Sequence, residues 1–461
     1  PLWLGSYYDQ HRWPLIYISS AFILLTPLTS ILHRAPRSKA SIWINVITFS
    51  CVTTLIALGL FMQHNAWGEF SWQTTKHGSF IDWKITPLEQ QPYPHLPGSA
   101  DKAEAWDMLS YIIPCLLLIL CVRHLIARKL IKINTVCATL FWTGASIALL
   151  GLLQRFTEAD AVFWNDQLID KQQPLFFATF RSPGIATSYL NLCLAIGLSH
   201  LLAVSRELTK RSRPKPTQPI LISIGLTVLF AGSISAGSKA GAIFAMLTLL
   251  LWILLNVRGI IQFIRNAPAL LPSGSPHERN IILGVALVAF IFAALSFGGT
   301  VVKRWESAEK NNFDTLQQRQ TANEIQIEMI KDPQWSNVAG FGPGSFFPMF
   351  HYYKQGSDLS STWVYAHNDH LQTLVEWGWL GTGCFALLIG GGSLLALKSG
   401  FAKKGKFRSS HQFYFKGFAL AMFVCLLHAT VDFPFQIESI AITCAIILGM
   451  AWAAPSLARS R

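Results

Sequence analysis

Charge is scarce in this chain: Asp, Glu, Lys and Arg make up 13% of its 461 residues. An ordinary soluble domain carries about a quarter, so a soluble enzyme surface is excluded. Chemical signatures are missing too. No Asp-x-Asp pair occurs, and no His-rich or Cys-rich metal spacing, so no metal and no other cofactor is expected. No Gly-x-Ser-x-Gly supports a serine nucleophile. The Gly340-Phe-Gly-Pro-Gly stretch is not followed by Gly-Lys-Ser/Thr, which argues against a nucleotide loop and for a tight turn that shapes a site. All eight cysteines fall inside apolar runs, so no disulfide framework is indicated.

What the chain does have is apolar length. Half of its residues are hydrophobic, and they gather in runs long enough to cross a bilayer as helices. Eleven such runs are predicted: 15–32, 41–62, 108–122, 133–153, 184–204, 219–236, 239–257, 280–298, 371–397, 413–431 and 437–454. The expected fold is all-α, a polytopic integral membrane protein with about eleven visible spans. The chain starts with Pro rather than Met, so a preceding span is expected, giving about twelve. Residues 1–298 form spans one to eight with outer loops 63–107 and 154–183. Residues 299–370 form a large structured extracytoplasmic loop domain, and 371–461 hold spans nine to eleven.

The net charge of +13 is a topology signal rather than a nucleic-acid surface. Lys and Arg cluster in alternate loops, as in Arg34, Arg37 and Lys39, or Arg206, Lys210, Arg211 and Arg213. Positive bias of short loops marks the cytoplasmic side. The alternation runs through all eleven runs without conflict, and it places 63–107, 154–183 and 299–370 outside. No nucleic-acid partner is expected; membrane lipid is.

The outer loop 299–370 should carry an amphipathic helix over 313–332, with Leu316, Ile327 and Ile330 near one face and Pro333 past its end. Aromatics crowd the same loop, from Trp335 through Phe346, Phe350 and Tyr352 to Trp363. Either an interfacial belt or a wall for sugar rings and a polyprenyl chain accounts for them.

At the end of this loop stands His367-Asn368-Asp369-His370, just before the ninth run. Titratable groups at a membrane boundary are costly and mark function. Asn368 or Asp369 is a plausible helix N-cap, with His367 just outside at the positive helix end. Asp369, Gln372 and Glu376 share one helical face. A lone interfacial His370 is more simply a satisfied polar residue. Basic residues also occur where the positive-inside rule does not require them: Arg155, Arg181, Lys239 and Arg319. Any one could pair with a neighbouring acid or lipid phosphate. As a set near span ends, they favour an anionic, diphosphate-bearing substrate.

The spacing His367-Asn368, nine residues, then Gly378-x-x-Gly381 resembles the signature of the O-antigen ligase and O-antigen polymerase superfamily of membrane glycosyltransferases. Upstream Arg319 and the Gly-Phe-Gly-Pro-Gly loop add to the likeness. The resemblance implies a metal-independent, inverting transfer of a glycan from an undecaprenyl-diphosphate carrier to an acceptor hydroxyl. Its place would be the outer face of the bacterial inner membrane. It implies His367 as general base and Arg319 as the group holding the donor diphosphate. Arg181, Lys239, Arg155, Asn368, Asp369, His370 and Glu376 are the further substrate-binding candidates. Where such proteins usually read Ser-Arg-Gly between two spans, this chain reads Ser-Lys239-Ala, which loses bidentate geometry. The acceptor is lipid- or protein-linked: lipid A–core, a carrier-linked glycan, or a protein hydroxyl as in the O-oligosaccharyltransferases. The competing class is a lipid or polysaccharide transporter, which would favour ionisable residues at span centres and broken helices.

Overall fold

The computed structural model describes residues 39–74, 81–165, 176–209, 217–270, 317–332, 337–357, 359, 363–403 and 405–458. Eleven helices occur among them, which we label α1 (Lys39–His64), α2 (Lys102–Ala127), α3 (Ile133–Phe156), α4 (Pro183–Leu208), α5 (Thr217–Ser235), α6 (Lys239–Leu270), α7 (317–331), α8 (Phe346–Tyr353), α9 (Asp369–Gly400), α10 (Ser409–His428) and α11 (Glu438–Trp452). Eight of these are long and apolar enough to cross a membrane: α1 to α6, α9 and α10. The chain is an all-α polytopic membrane protein. The predicted runs 15–32 and 280–298 lie outside the described residues.

Three boundaries differ from expectation for clear reasons. Helix α2 starts at Lys102 rather than near 108 because Asp101 caps it, accepting from Ala103 N at 2.8 Å and Glu104 N at 3.1 Å. Helix α11 has only 15 residues, about 22 Å at the α-helical rise, short of a hydrocarbon core of about 30 Å. A 3-10 turn, Ala454–Leu457, continues it. The loop 63–107 also carries an antiparallel hairpin, β1 (Gly68–Thr74) with β2 (Ile81–Pro87), which the all-α expectation did not include.

Helix α4 is the centre of the bundle. Its most apolar window is buried along its whole length, and it packs on α3, α5, α6 and α10. Small residues allow this closeness: a Cβ on Gly197 would lie 2.4 Å from the Phe141 ring of α3. The opposite case is α6, whose Ile243, Met246, Leu250 and Leu254 form one exposed stripe. In water that stripe would be an aggregation hazard; against lipid tails it costs nothing.

Helix α9 is broken. Gly378 takes φ 56, ψ −165 inside it, and residues 337–342 run alongside the break. Phe341 N donates to Val375 O at 2.9 Å, Gly342 N to Glu376 O at 2.9 Å, Trp379 N to Asn337 O at 3.1 Å and Leu380 N to Val338 O at 3.0 Å. The main-chain groups freed by the break are thus satisfied by another segment, the condition for irregular backbone at membrane depth. The Gly340-Phe-Gly-Pro-Gly stretch is a turn, as expected, and together with residues 337–339 it forms a plug in the break of α9, which the sequence reading did not include.

Beside the plug, α7, α8 and the start of α9 share a small core of Ala322, Ile325, Met329, Phe341, Phe346, Phe350 and Trp363. The buried face of α7 is set by Ala322, Ile325, Gln326 and Met329, while Ile327 is exposed. The predicted face was off by part of a turn, and Leu316 and Trp335 lie outside the described residues. Phe346, Phe350 and Trp363 are buried, so they are neither an interfacial belt nor an open sugar wall.

Candidate active site

The site grows from the start of α9. Asn368 is the N-cap, its side chain accepting from Leu371 N at 3.3 Å. Asp369 does a different task. Its carboxylate accepts from Phe435 N at 2.7 Å and from Gln436 Nε2 at 3.1 Å, while its own N–H donates to Ala429 O at 2.9 Å. These three bonds fasten the turn after α10 onto the head of α9. That turn carries Val431, Asp432 and Phe433.

His367, just outside α9, has φ 50, a left-handed conformation that a β-carbon makes costly. Strain of this kind persists where surrounding structure enforces it, and it gathers at functional sites. Here Trp363 and Phe433 hold the imidazole edge-to-face, with centroids 5.4 and 4.8 Å away. The held ring places Nδ1 3.3 Å from Asp432 Oδ1, a close polar contact rather than an aligned hydrogen bond. The side chain is 33% exposed, and Nε2 has no hydrogen-bond partner among the described residues.

Asp432 is buried between two imidazoles. Its Oδ2 lies 3.9 Å from His428 Nε2, and Oδ1 accepts from Phe433 N at 3.1 Å. Burial pushes its pKa up, but His367, His428 and Arg319 together outweigh that and hold it below the ordinary 3.8. The carboxylate is therefore ionised at neutral pH. The head of α4 presses on it from the other side: a Cβ on Gly184 would fall 2.1 Å from Oδ2, so only glycine allows the approach. The positive end of the α4 dipole then faces an anion.

Arg319 on α7 reaches the same turn, its Nη1 donating to Val431 O at 3.0 Å. His367 and Arg319, far apart in sequence, meet across Val431 and Asp432. The other cations gather at the same end of the bundle. Arg181 is three residues before Gly184, and Lys239 opens α6. Helix α6 touches the site through Phe244, whose ring is tilted against His428 with centroids 5.0 Å apart, and touches α4 through Asn191 Nδ2, which donates to Gly241 O at 3.0 Å. Arg155 bonds main chain: Nη2 donates to Phe176 O at 2.8 Å and Ala236 O at 3.3 Å, tying the segment before α4 to the end of α5.

His370 and Glu376 face other ways. His370 Nε2 sits 3.0 Å from Leu426 O of α10. Glu376 Oε1 accepts from Phe346 N at 3.2 Å and Gln372 Nε2 at 3.4 Å, which anchors α8 and the plug to α9. The shared face of Asp369, Gln372 and Glu376 is buried, and each of the three bonds a segment outside α9: the 435–436 turn, Ala366 N and Phe346 N.

Sequence reasoning missed Asp432, His428 and Gly184. Asp432 did leave a signal: it is the one acid between the two last apolar runs, at a membrane boundary where an acid is costly. A carboxylate behind an imidazole that shows its other nitrogen outward is a proton-accepting arrangement. The cations beside it suit a polyanionic partner.

No curated protein matches the chain. Residues 222–386, somewhat over a third of the sequence, match the family described as O-antigen ligase. The matched stretch contains Lys239, Arg319, His367, Glu376, Gly378 and Gly381, and stops before Asp432. It supports O-antigen ligase-like glycosyl transfer as the general activity of a multi-pass membrane protein. Over that stretch the chain is similar to the O-antigen ligase family.

Proposed function

We propose that this protein transfers a glycan from an undecaprenyl-diphosphate carrier to an acceptor hydroxyl on the extracytoplasmic face of the bacterial inner membrane, by an inverting reaction that needs no metal. The observation that carries this reading is the His367–Asp432 pair joined to Arg319 through Val431. In the reaction the acceptor oxygen attacks the anomeric carbon and its proton passes to His367 Nε2. The bond from that carbon to the carrier diphosphate breaks, and its electron pair leaves with the diphosphate. Asp432 steadies the imidazolium that forms, and a positioned base of this kind supplies about 10²–10⁴-fold. Arg319 meets the departing diphosphate, with Arg181 and Lys239 adding charge at the heads of α4 and α6. Asn368 fixes the start of α9, and Arg155 and Asp369 hold the frame.

The acceptor is lipid A–core, a carrier-linked glycan or, as in the O-oligosaccharyltransferases, a protein. The test is in-vitro transfer from a defined undecaprenyl-diphosphate glycan to each of the three, with and without EDTA. Product with at least one acceptor, undiminished by EDTA, is expected. No product with any of them would overturn the assignment, and full loss with EDTA would overturn metal independence.

One observation favours the transporter reading: α9 is a discontinuous helix, a device of transporter binding sites. Against it, residues 337–342 fill the break, and His367, Asp432, His428 and Arg319 cluster at one end of the bundle. Carrier-linked glycan moving across sealed vesicles without transfer would favour the transporter.

A further inference from the structure

The head of α9 has two sides. One faces Asp432, Arg319 and the heads of α4 and α6, where the cations are. The other opens into a cavity of about 440 Å³ between α2, α9, α10 and α11, within the range of small-molecule sites. Its walls are hydrocarbon, with Ile112, Leu116, Phe385, Leu388 and Leu448 among them. Its polar groups are Asp369, Glu376, Tyr111, Gln436, Thr373, Thr382 and His370, whose Nε2 lies 3.0 Å from Leu426 O.

Most of these groups are already engaged. Both oxygens of Asp369 are taken by the turn after α10, and the Tyr111 hydroxyl donates to Gln436 Oε1 at 3.3 Å. Glu376 is the exception. It is 1% exposed, it lines the cavity, and its Oε2 has no hydrogen-bond partner among the described residues. A buried carboxyl oxygen without a partner is costly, and more so at membrane depth. A hydroxyl relieves that cost whether Glu376 is ionised or not, because it both donates and accepts. A phosphate does not: it carries charge into a hydrocarbon-walled cavity whose unpartnered polar atom is a carboxyl oxygen.

We infer that this cavity holds the aliphatic chain of a neutral, hydroxyl-bearing lipid, with the hydroxyl bonded to Glu376, and that it excludes the chain of a phosphate-headed lipid. This lipid is neither donor nor acceptor in the proposed transfer, and its binding is independent of that reaction.

The test reads binding without turnover, so its failure is separate from a failure of transferase activity. Full-length protein in nanodiscs is irradiated with a diazirine-bearing long-chain alcohol and, in parallel, with the alkyl phosphate of the same chain length. Labelled peptides are then mapped by mass spectrometry. The alcohol is expected to mark α9 around Phe385–Ile389 and α11 around Cys444–Leu448, and to do so about tenfold more than the phosphate, the factor one lost hydrogen bond produces. Glu376→Gln should narrow that preference. Gly390 lines the cavity and a Cβ there meets nothing within 4 Å, so Gly390→Leu should fill the space without disturbing α9 and abolish the labelling. Equal labelling by the phosphate, no labelling of these segments, or labelling that survives Gly390→Leu would each overturn the inference. The first of these would give the cavity to the carrier chain.

Discussion

Gly340 and Gly378 meet backbone to backbone. A Cβ on Gly378 would lie 2.5 Å from the Gly340 nitrogen, and one on Gly340 would lie 2.6 Å from the Gly378 nitrogen. Both residues have positive φ, 75 and 56. The contact joins the plug to the broken helix, so the head of α9, with His367 and Asn368, is positioned from two segments at once.

Gly378→Ala and Gly340→Ala should each destabilise the protein by about 2 kcal/mol or more, from left-handed backbone strain plus the clash. Thermal unfolding in detergent measures this. A mutant melting with the wild type would show that the plug does not hold the break.

Asp432→Asn keeps the shape of the turn and removes the charge behind His367. Turnover should fall about 10²-fold or more with KM little changed, because the charge acts on the imidazolium formed during reaction. A kcat within a factor of about three of wild type would remove Asp432 from the mechanism.

Two titrations separate by window. The folded pKa of Asp432 lies below its ordinary 3.8 because His367, His428 and Arg319 together outweigh burial. Its contribution to stability is therefore complete above pH 3.8 and is lost only as pH falls through the folded value. His351 on α8 is also depressed, by burial first, from 6.5. As the neutral form is the one that folds, its contribution is complete above pH 6.5 and is lost as pH falls below that. Hydrogen exchange should show α8 loosening on acidification while the Phe433 and Phe435 amides stay protected. The reverse order would contradict both assignments.

Arg155→Ala should act on stability rather than chemistry, since its guanidinium bonds two main-chain carbonyls. A loss of about 1–3 kcal/mol is expected, with kcat largely kept in the protein that remains folded. Arg319→Ala should do the opposite, lowering kcat by about 10²-fold. A matching kcat loss in Arg155→Ala would place it at the substrate.

The spans were legible in the sequence because a bilayer demands length and low charge, and these are local properties. Eight of the predicted runs correspond to long apolar helices. The strong pattern around His367 was legible for a related reason: Asn368 caps a helix within three residues of itself, so its signal is short-range. Asp432 was not legible, because its role arises only when the turn after α10 folds back 65 positions to His367, held there by Asp369. The face of α7 was misjudged because apolar residues alone were counted; Gln326 takes a buried place that pattern would give to Ile327. Arg155 shows the limit of reading charge: its residue type suggests an anion site, and its Nη2 bonds two carbonyl oxygens that no local pattern announces.

The buried centre of the bundle bears on how the protein is assembled. Helix α4, with mean hydropathy 1.5, and α10, with 1.2, are among the less apolar spans, against 2.3 for α6. Neither suits a lipid surroundings alone, since polar side chains weaken partition into the hydrocarbon. They pack on one another, and His200 Nδ1 meets Tyr414 OH at 2.8 Å across their contact. The same two helices deliver Gly184 and the Asp432 turn to His367. The membrane thus retains the pair only as a pair, and the step that makes α4 and α10 tolerable in lipid also brings the carboxylate to the imidazole.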